Sequence, residues 1–249
     1  RQMCIRDRVK GNMLINASAT QVEILGGLFI QDILAEITAD SSSNGNDGKV
    51  HGGPQWRPSG GKIDGALEFD GIDDYVQTFD SSSKLQITAD YTLAVWIKPN
   101  PLQKRWAGIF SKCNPDGSVN HWTLQFDSSR HRKLIVHHPT SRWDTGIRLS
   151  DIAGRWHHIR IVRRGETMTS YLDGTEIKSG TWSSNPGNGN GHLNIGADRT
   201  ASSRYVYKGL IDDIRIYDCA PDPNEIYPSV CLLYTSDAAD EGLGVDLGG

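Results

Sequence analysis

Between Thr38 and Tyr227 the hydrophobic positions recur in short runs, in which β-branched and aromatic residues alternate with polar ones. A period of two is what a strand with one buried face requires. Such runs lie at Ala66 to Phe69, Tyr75 to Phe79, Tyr91 to Lys98, Gly108 to Lys112, Trp122 to Asp127 and Lys133 to His138, and again at Gly146 to Leu149, His157 to Arg163, Thr167 to Leu172, Thr175 to Ile177, His192 to Ile195 and Gly209 to Tyr217. Clusters of Gly, Asn, Asp, Ser and Pro separate them. Asp173-Gly174, between two of these runs, supplies the positive φ angles of a type I′ hairpin turn. No long helical period interrupts the series. The pattern predicts an all-β fold, two antiparallel sheets packed face to face as a jelly-roll β-sandwich.

The sandwich is expected over residues 38–227. Residues 1–8 and 230–241 resemble translated adapter sequence and are read as artefact, so Cys4 and Cys231 are set aside. The tract Val9 to Ile37 suits a helix with Leu25, Leu28, Phe29, Ile33, Leu34 and Ile37 on one face, or equally an opening strand within Leu28 to Ile37. Residues 228–249 are expected to be a disordered or artefactual tail.

Composition narrows the function. The 249 residues are 37% hydrophobic and 22% charged, which excludes a disordered chain. The net charge of −4 comes without any Lys/Arg block, so nucleic acid is not an expected partner. The most apolar run, Ile24 to Ile37, is broken by Gln31, Asp32 and Glu36 and falls short of the roughly 18 apolar residues of a membrane span. Four cysteines without a Cys-x-x-Cys pair indicate neither a zinc ribbon nor a thioredoxin-type site, and the pairing of Cys113 with Cys219 stays open.

Several stretches carry a resemblance. Asp40 to Gly48, Gly65-Ala-Leu-Glu-Phe-Asp-Gly-Ile-Asp-Asp-Tyr-Val76, Tyr91-Thr-Leu-Ala-Val-Trp-Ile-Lys-Pro99, Gly154-Arg-Trp-His-His-Ile-Arg-Ile-Val162, Tyr171-Leu-Asp-Gly174 and Gly209-Leu-Ile-Asp-Asp-Ile-Arg-Ile-Tyr217 occur in that order. Together they resemble the bacterial laminin-G-like group of the concanavalin A-like lectin/glucanase superfamily. The resemblance implies a jelly-roll sandwich, often calcium-bound, in secreted or cell-surface proteins that bind glycans or other proteins. It departs at the first strand, where Leu28 to Ile37 stands in place of an aromatic-rich run.

The superfamily also holds glycoside hydrolases with a Glu-x-Asp-x-x-Glu strand. The nearest string here is Glu68-Phe-Asp70-Gly-Ile-Asp73, whose third carboxylate is shorter and follows a turn-forming Gly71. A retaining glycosidase needs two carboxyls about 5 to 5.5 Å apart, which this string does not promise. His157 and His158 lack a nucleophile partner and read as structural. No catalytic residue is assigned.

Hard oxygen ligands for calcium concentrate at Asp40 with Asn44, Asn46 and Asp47, at Asp70 with Asp73 and Asp74, and at Asp212 with Asp213. The first loop starts like an EF-hand but carries His51 where the bidentate Glu would stand. Alternation places Asp212 and Asp213 on opposite faces. The expected ligands of a structural Ca2+ are Asp40, carbonyls around Asn44 and Asn46, and Asp213.

Sugar faces stack on aromatic rings, and seven tryptophans raise the question of which are available. Trp96 and Trp156 read as core, and Trp56 is open. Trp106, Trp122, Trp143 and Trp182 read as loop or loop-edge residues. The candidate carbohydrate-binding set is Trp106, His121, His137, Trp143, Trp182, Arg204 and Tyr205. The function expected is a non-catalytic, calcium-stabilised module of a larger extracellular or surface protein, binding a glycan or polysaccharide. A protein-interaction or adhesion module is the first alternative, and a glycoside hydrolase or lyase the second.

Overall fold

A computed structural model describes residues 37–38, 46–63, 65–78, 87, 89–114, 120–187, 191–198 and 205–220. Its strands are β1 (Ile37–Thr38), β2 (Gly48–His51), β3 (Gln55–Arg57), β4 (Ala66–Asp70), β5 (Tyr75–Thr78), β6 (Tyr91–Pro99), β7 (Gly108–Cys113) and β8 (Asn120–Phe126). They continue with β9 (Lys133–His138), β10 (Ser141–Arg148), β11 (His157–Arg164), β12 (Thr167–Leu172), β13 (Thr175–Thr181), β14 (Leu193–Ile195) and β15 (Lys208–Tyr217), with a one-turn helix α1 (Leu149–Ile152) between β10 and β11. All pairings are antiparallel, in an eight-stranded sheet β1-β2-β5-β14-β7-β8-β9-β10 and a seven-stranded sheet β13-β12-β11-β6-β15-β4-β3.

Alternation sets which side chains meet. In the eight-stranded sheet, Val50, Val76, Ile195, Phe110, Leu124, Val136 and Trp143 stand in register across seven strands, a continuous apolar row. The seven-stranded sheet answers with Trp56, Leu67, Ile211 and Ile97, and with Ile216, Leu93 and Ile161. These residues form one cluster between the sheets, with Val50 and Trp56 partly exposed at its margin. Burying each such side chain is worth roughly 1.5–3 kcal/mol. The Asp173-Gly174 turn forms as expected, with φ of 49° and 83°.

Three predicted features need correction. Trp143 and Trp182 do not sit in open loops: Trp143 lies in β10, Trp182 follows β13, and both belong to the core cluster, 6% and 9% exposed. Trp143 escaped the strand pattern because a register shift between Asp144 and Arg148 interrupts the alternation of β10. Trp96 is buried on the outer side of its sheet and Trp156 is half-buried, so neither joins the core cluster. Asp212 and Asp213 do not alternate simply, because a bulge falls between Asp212 and Arg215 and Asp213 takes φ 45°. Neither Cys113 nor Cys219 forms a disulfide.

Candidate functional site

On the face of the eight-stranded sheet turned away from the core, a second row runs parallel to the apolar one. Lys49, Gln77, Asn194, Ser111, Thr123, His137 and Arg142 stand in register across the same seven strands. Outer faces of sheets are ordinarily solvated, yet Asn194, Ser111 and Thr123 are fully buried. Part of the cover is the chain between β14 and β15, where Ala197 bridges Val206 and Asp198 reaches over the sheet. Gly108 permits this approach, since a Cβ there would lie 2.2 Å from the Asp198 nitrogen.

Asp198 is tied down from below. Ser111 Oγ donates to the carbonyls of Ala197 and Asp198 at 3.0 and 2.5 Å, and Thr123 Oγ1 to Asp198 Oδ1 at 3.4 Å. With the Gln125 amide oriented by its partners, its nitrogen donates to both Asp198 carboxylate oxygens at 3.0 and 3.1 Å. The amides of Gly108 and Asp198 both donate to the Tyr205 carbonyl, at 2.9 and 3.1 Å. At the open edge of the row Arg142 lies over the Trp106 ring, 4.5 Å from its centroid. Trp106, His137 and Tyr205 are half-buried and Arg142 is exposed.

Of the seven predicted glycan residues, Trp106, His137 and Tyr205 are therefore brought to this face. His121 lies on the same side of β8 two residues from Thr123, but it is buried and pairs with Asn114 Oδ1 at 2.7 Å. Burial, with Lys112 nearby, holds its imidazole below the ordinary value. Trp143 and Trp182 face the core, and Arg204 lies outside the described residues. The prediction missed Ser111, Thr123, Gln125, Arg142 and Asp198. The signal was present in β8, where His121, Thr123 and Gln125 occupy every second position.

Metal ligands fall differently. Asp40 and Asn44 lie outside the described residues, and Asn46 is buried just before β2. Asp213 Oδ1 accepts from Arg215 Nε at 2.8 Å, which gives this carboxylate a cation of its own. The carboxylates that converge are Asp70, Asp73 and Asp74 in the β4–β5 turn, one oxygen from each lying within 4.8 Å of the others. Burial, reinforced by the charges of Asp70 and Asp73, raises the Asp74 carboxyl to about 6. Three crowded hard oxygens whose mutual repulsion a divalent cation relieves fit calcium chemistry.

The outer face of the other sheet holds a third polar group. His158, Trp96 and Asp212 are cross-strand neighbours on β11, β6 and β15. Asp212 Oδ2 accepts from the amides of Lys62 and Ile63 at 2.7 and 2.8 Å, which pins the β3–β4 loop over the sheet. Burial raises the Asp212 carboxyl to about 6, and burial with Arg160 lowers the His158 imidazole to about 4.

The described residues form a sandwich with a networked polar face on one sheet and half-buried aromatic residues at its margin. Residues 70–227 match a laminin G family model described as concanavalin A-like lectin/glucanases superfamily, and the chain belongs to that superfamily. Adhesion G-protein coupled receptor V1 of Danio rerio is 25% identical over 150 residues, covering 57% of this chain and 2% of the receptor. Domain 4 of AbnA, a GH43 extracellular arabinanase from Geobacillus stearothermophilus, solved in complex with arabinotriose, superposes with a TM-score of 0.58 at 21% identity, covering 75% of this chain and 89% of that one. The binding domain of Paraclostridial Mosquitocidal Protein 1 superposes with a TM-score of 0.58 at 16% identity, covering 88% of this chain and 51% of that one. Among the described residues no helix is long and apolar enough to cross a membrane.

Proposed function

We propose that this chain is a non-catalytic, extracellular module that binds a glycan on the outer face of its eight-stranded sheet, supported by a structural calcium ion. The observation that carries the reading is the row from Gln77 to Arg142. It combines a fixed polar network with Trp106, His137 and Tyr205 at its accessible margin. Trp106 supplies a ring for a sugar face, and His137 and Arg142 offer donors for hydroxyls. The arabinotriose seen with the arabinanase domain makes arabino-oligosaccharides the first ligands to try. A binding rather than hydrolytic role is supported by Glu68, which is ion-paired to Arg57 at 2.7 Å with both side chains well exposed.

Titration calorimetry over arabino-oligosaccharides and a panel of other soluble glycans tests the proposal. One class should bind, and Trp106→Ala should weaken it by about 2 kcal/mol with the melting temperature nearly unchanged. Binding that survives both Trp106→Ala and His137→Ala would remove this face from the reading. No response to any glycan would favour the adhesion alternative.

A further inference from the structure

Trp106 stands out in its backbone as well as by its place at the polar face. Its φ is 60°, a left-handed conformation that a bulky side chain seldom adopts. The chain around it is fixed. The Ala107 carbonyl accepts the Phe126 amide at 2.9 Å, the Gly108 amide donates to the Tyr205 carbonyl at 2.9 Å, and buried Gln103 accepts the Lys208 amide at 3.0 Å. Such strain persists only where the surroundings impose it, and it concentrates at ligand sites. Here it sets the indole beneath Arg142, whose guanidinium carbon lies 4.5 Å from the ring centroid.

Arg142 is exposed, and among the described residues no hydrogen bond or ion pair engages its guanidinium. A guanidinium seated over a ring uses its face, which leaves the N–H groups along its edge for an acceptor. A sugar that meets this ring therefore also meets that edge. The carboxylates around the stack are already engaged. Asp198 is buried, with both oxygens accepting from Gln125. Asp144 Oδ2 accepts from Lys133 Nζ at 2.7 Å and its Oδ1 from the Gly146 amide at 2.9 Å. Asp127 Oδ1 accepts from Ser129 and from the Lys133 amide. Glu166, whose carbonyl accepts the Trp182 amide, lies on the β11–β12 turn of the opposite sheet and forms no ion pair with Arg142. Lys104 and Arg105, directly before Trp106, are exposed.

Among the described residues this margin thus offers donors and positive charge without an open carboxylate. A neutral sugar needs acceptors as well as donors, because each hydroxyl has a proton to place. A carboxylated sugar brings its own acceptor, and the planar arginine fork takes a carboxylate through two parallel N–H bonds. We propose, resting on the glycan reading of this sheet face, that its ligand is a uronate-bearing glycan, with the carboxylate forked on Arg142 and the sugar ring against Trp106.

The test is titration calorimetry of the full chain with oligosaccharides of galacturonate and of glucuronate, each also as its methyl ester, which keeps the ring and removes the charge. One acid form should bind, and its ester about tenfold more weakly or worse, the loss expected when a charge-assisted pair is removed. Arg142→Gln should erase this preference, binding acid and ester alike, with the melting temperature nearly unchanged because Arg142 is exposed. Arg142→Lys keeps the charge without the fork and should behave like Arg142→Gln. Equal binding of acid and ester by the parent would overturn the proposal, as would a preference that persists in Arg142→Gln or parental affinity in Arg142→Lys. Binding of a neutral glycan that is lost in Trp106→Ala, with neither uronate bound, would overturn the uronate and leave the glycan reading standing. Silence toward every glycan, acid or neutral, would remove both.

Discussion

His138 and Trp182 stack with ring centroids 4.1 Å apart and planes 25° apart. The stack closes one side of the sandwich, because His138 Nε2 lies 3.0 Å from Tyr91 Oη of the opposite sheet and Trp182 Nε1 donates to Ser141 Oγ at 2.9 Å. His138 Nδ1 lies 2.9 Å from the Ser184 carbonyl, so the proton sits on Nδ1 and Nε2 accepts from Tyr91. Burial keeps this imidazole neutral by lowering it to about 4.

Trp182 is therefore a stability residue. Trp182→Ala should cost about 3–5 kcal/mol and lower the melting temperature by on the order of 10 °C. Glycan affinity, measured well below the transition, should not change. A loss of affinity in a variant that still melts cooperatively would return Trp182 to the binding surface.

Much of this was legible in the chain. All twelve strands marked by alternation form, because a buried face with period two leaves its trace in the residue types. What escaped were β1 to β3, which are short, the first part of β10 from Ser141 to Thr145, and the second half of β13, whose Lys178 to Thr181 are exposed or half-exposed and carry no apolar signal. The candidate site was legible only in part for a different reason. Trp106 and His137 could be singled out by type, but Trp143 and Trp182 are the same type and face the core. Which side a tryptophan faces depends on register, and the register of β10 is altered by the shift after Asp144.

Asp198 is the latch of the polar face, and its removal should be felt twice. Asp198→Ala leaves Gln125 and Thr123 buried with fewer partners, a cost of about 1–3 kcal/mol. The covering segment then loosens, and glycan binding should fall with it. Asp198→Asn retains an acceptor and should recover most of the stability. If the alanine variant is as stable as the parent by chemical denaturation, the network is not holding the segment.

Acid stability should be unusually flat. Asp74 and Asp212 are raised from 3.8 to about 6, so the folded state holds their protons more tightly. Their contribution is present below about pH 4 and is lost as pH rises through 6. His138 and His158 are lowered from 6.5 to about 4, so their contribution is present above 6.5 and is lost as pH falls through 4. The two pairs share one window with opposite signs. Melting temperatures in chelator should thus change little from about pH 4 to 6.5. Asp212→Asn, whose carbonyl can still accept from Lys62 and Ile63, removes one falling contribution and should make stability rise with pH over that window. A variant profile parallel to the parent would show that Asp212 does not titrate there.

Calcium should act at the β4–β5 turn. There Asp70, Asp73 and Asp74 bring three oxygens within 4.8 Å, and the fold already fixes the turn through the Asp70 amide, which donates to Asp74 Oδ2 at 2.7 Å. A cation that binds only the folded chain stabilises it by about 2.7 kcal/mol at a hundred times its dissociation constant, a rise of several degrees in melting temperature. Chelator should reverse the rise, and magnesium should reproduce it poorly because it demands a tighter octahedral shell. Asp73→Asn should abolish the response at little cost to the metal-free protein, since Asp73 is exposed. Identical melting in calcium and in chelator would exclude the ion. A calcium response that persists in Asp73→Asn would instead move the ion to the loop around Asn46, where Asp40 and Asn44 are its expected partners.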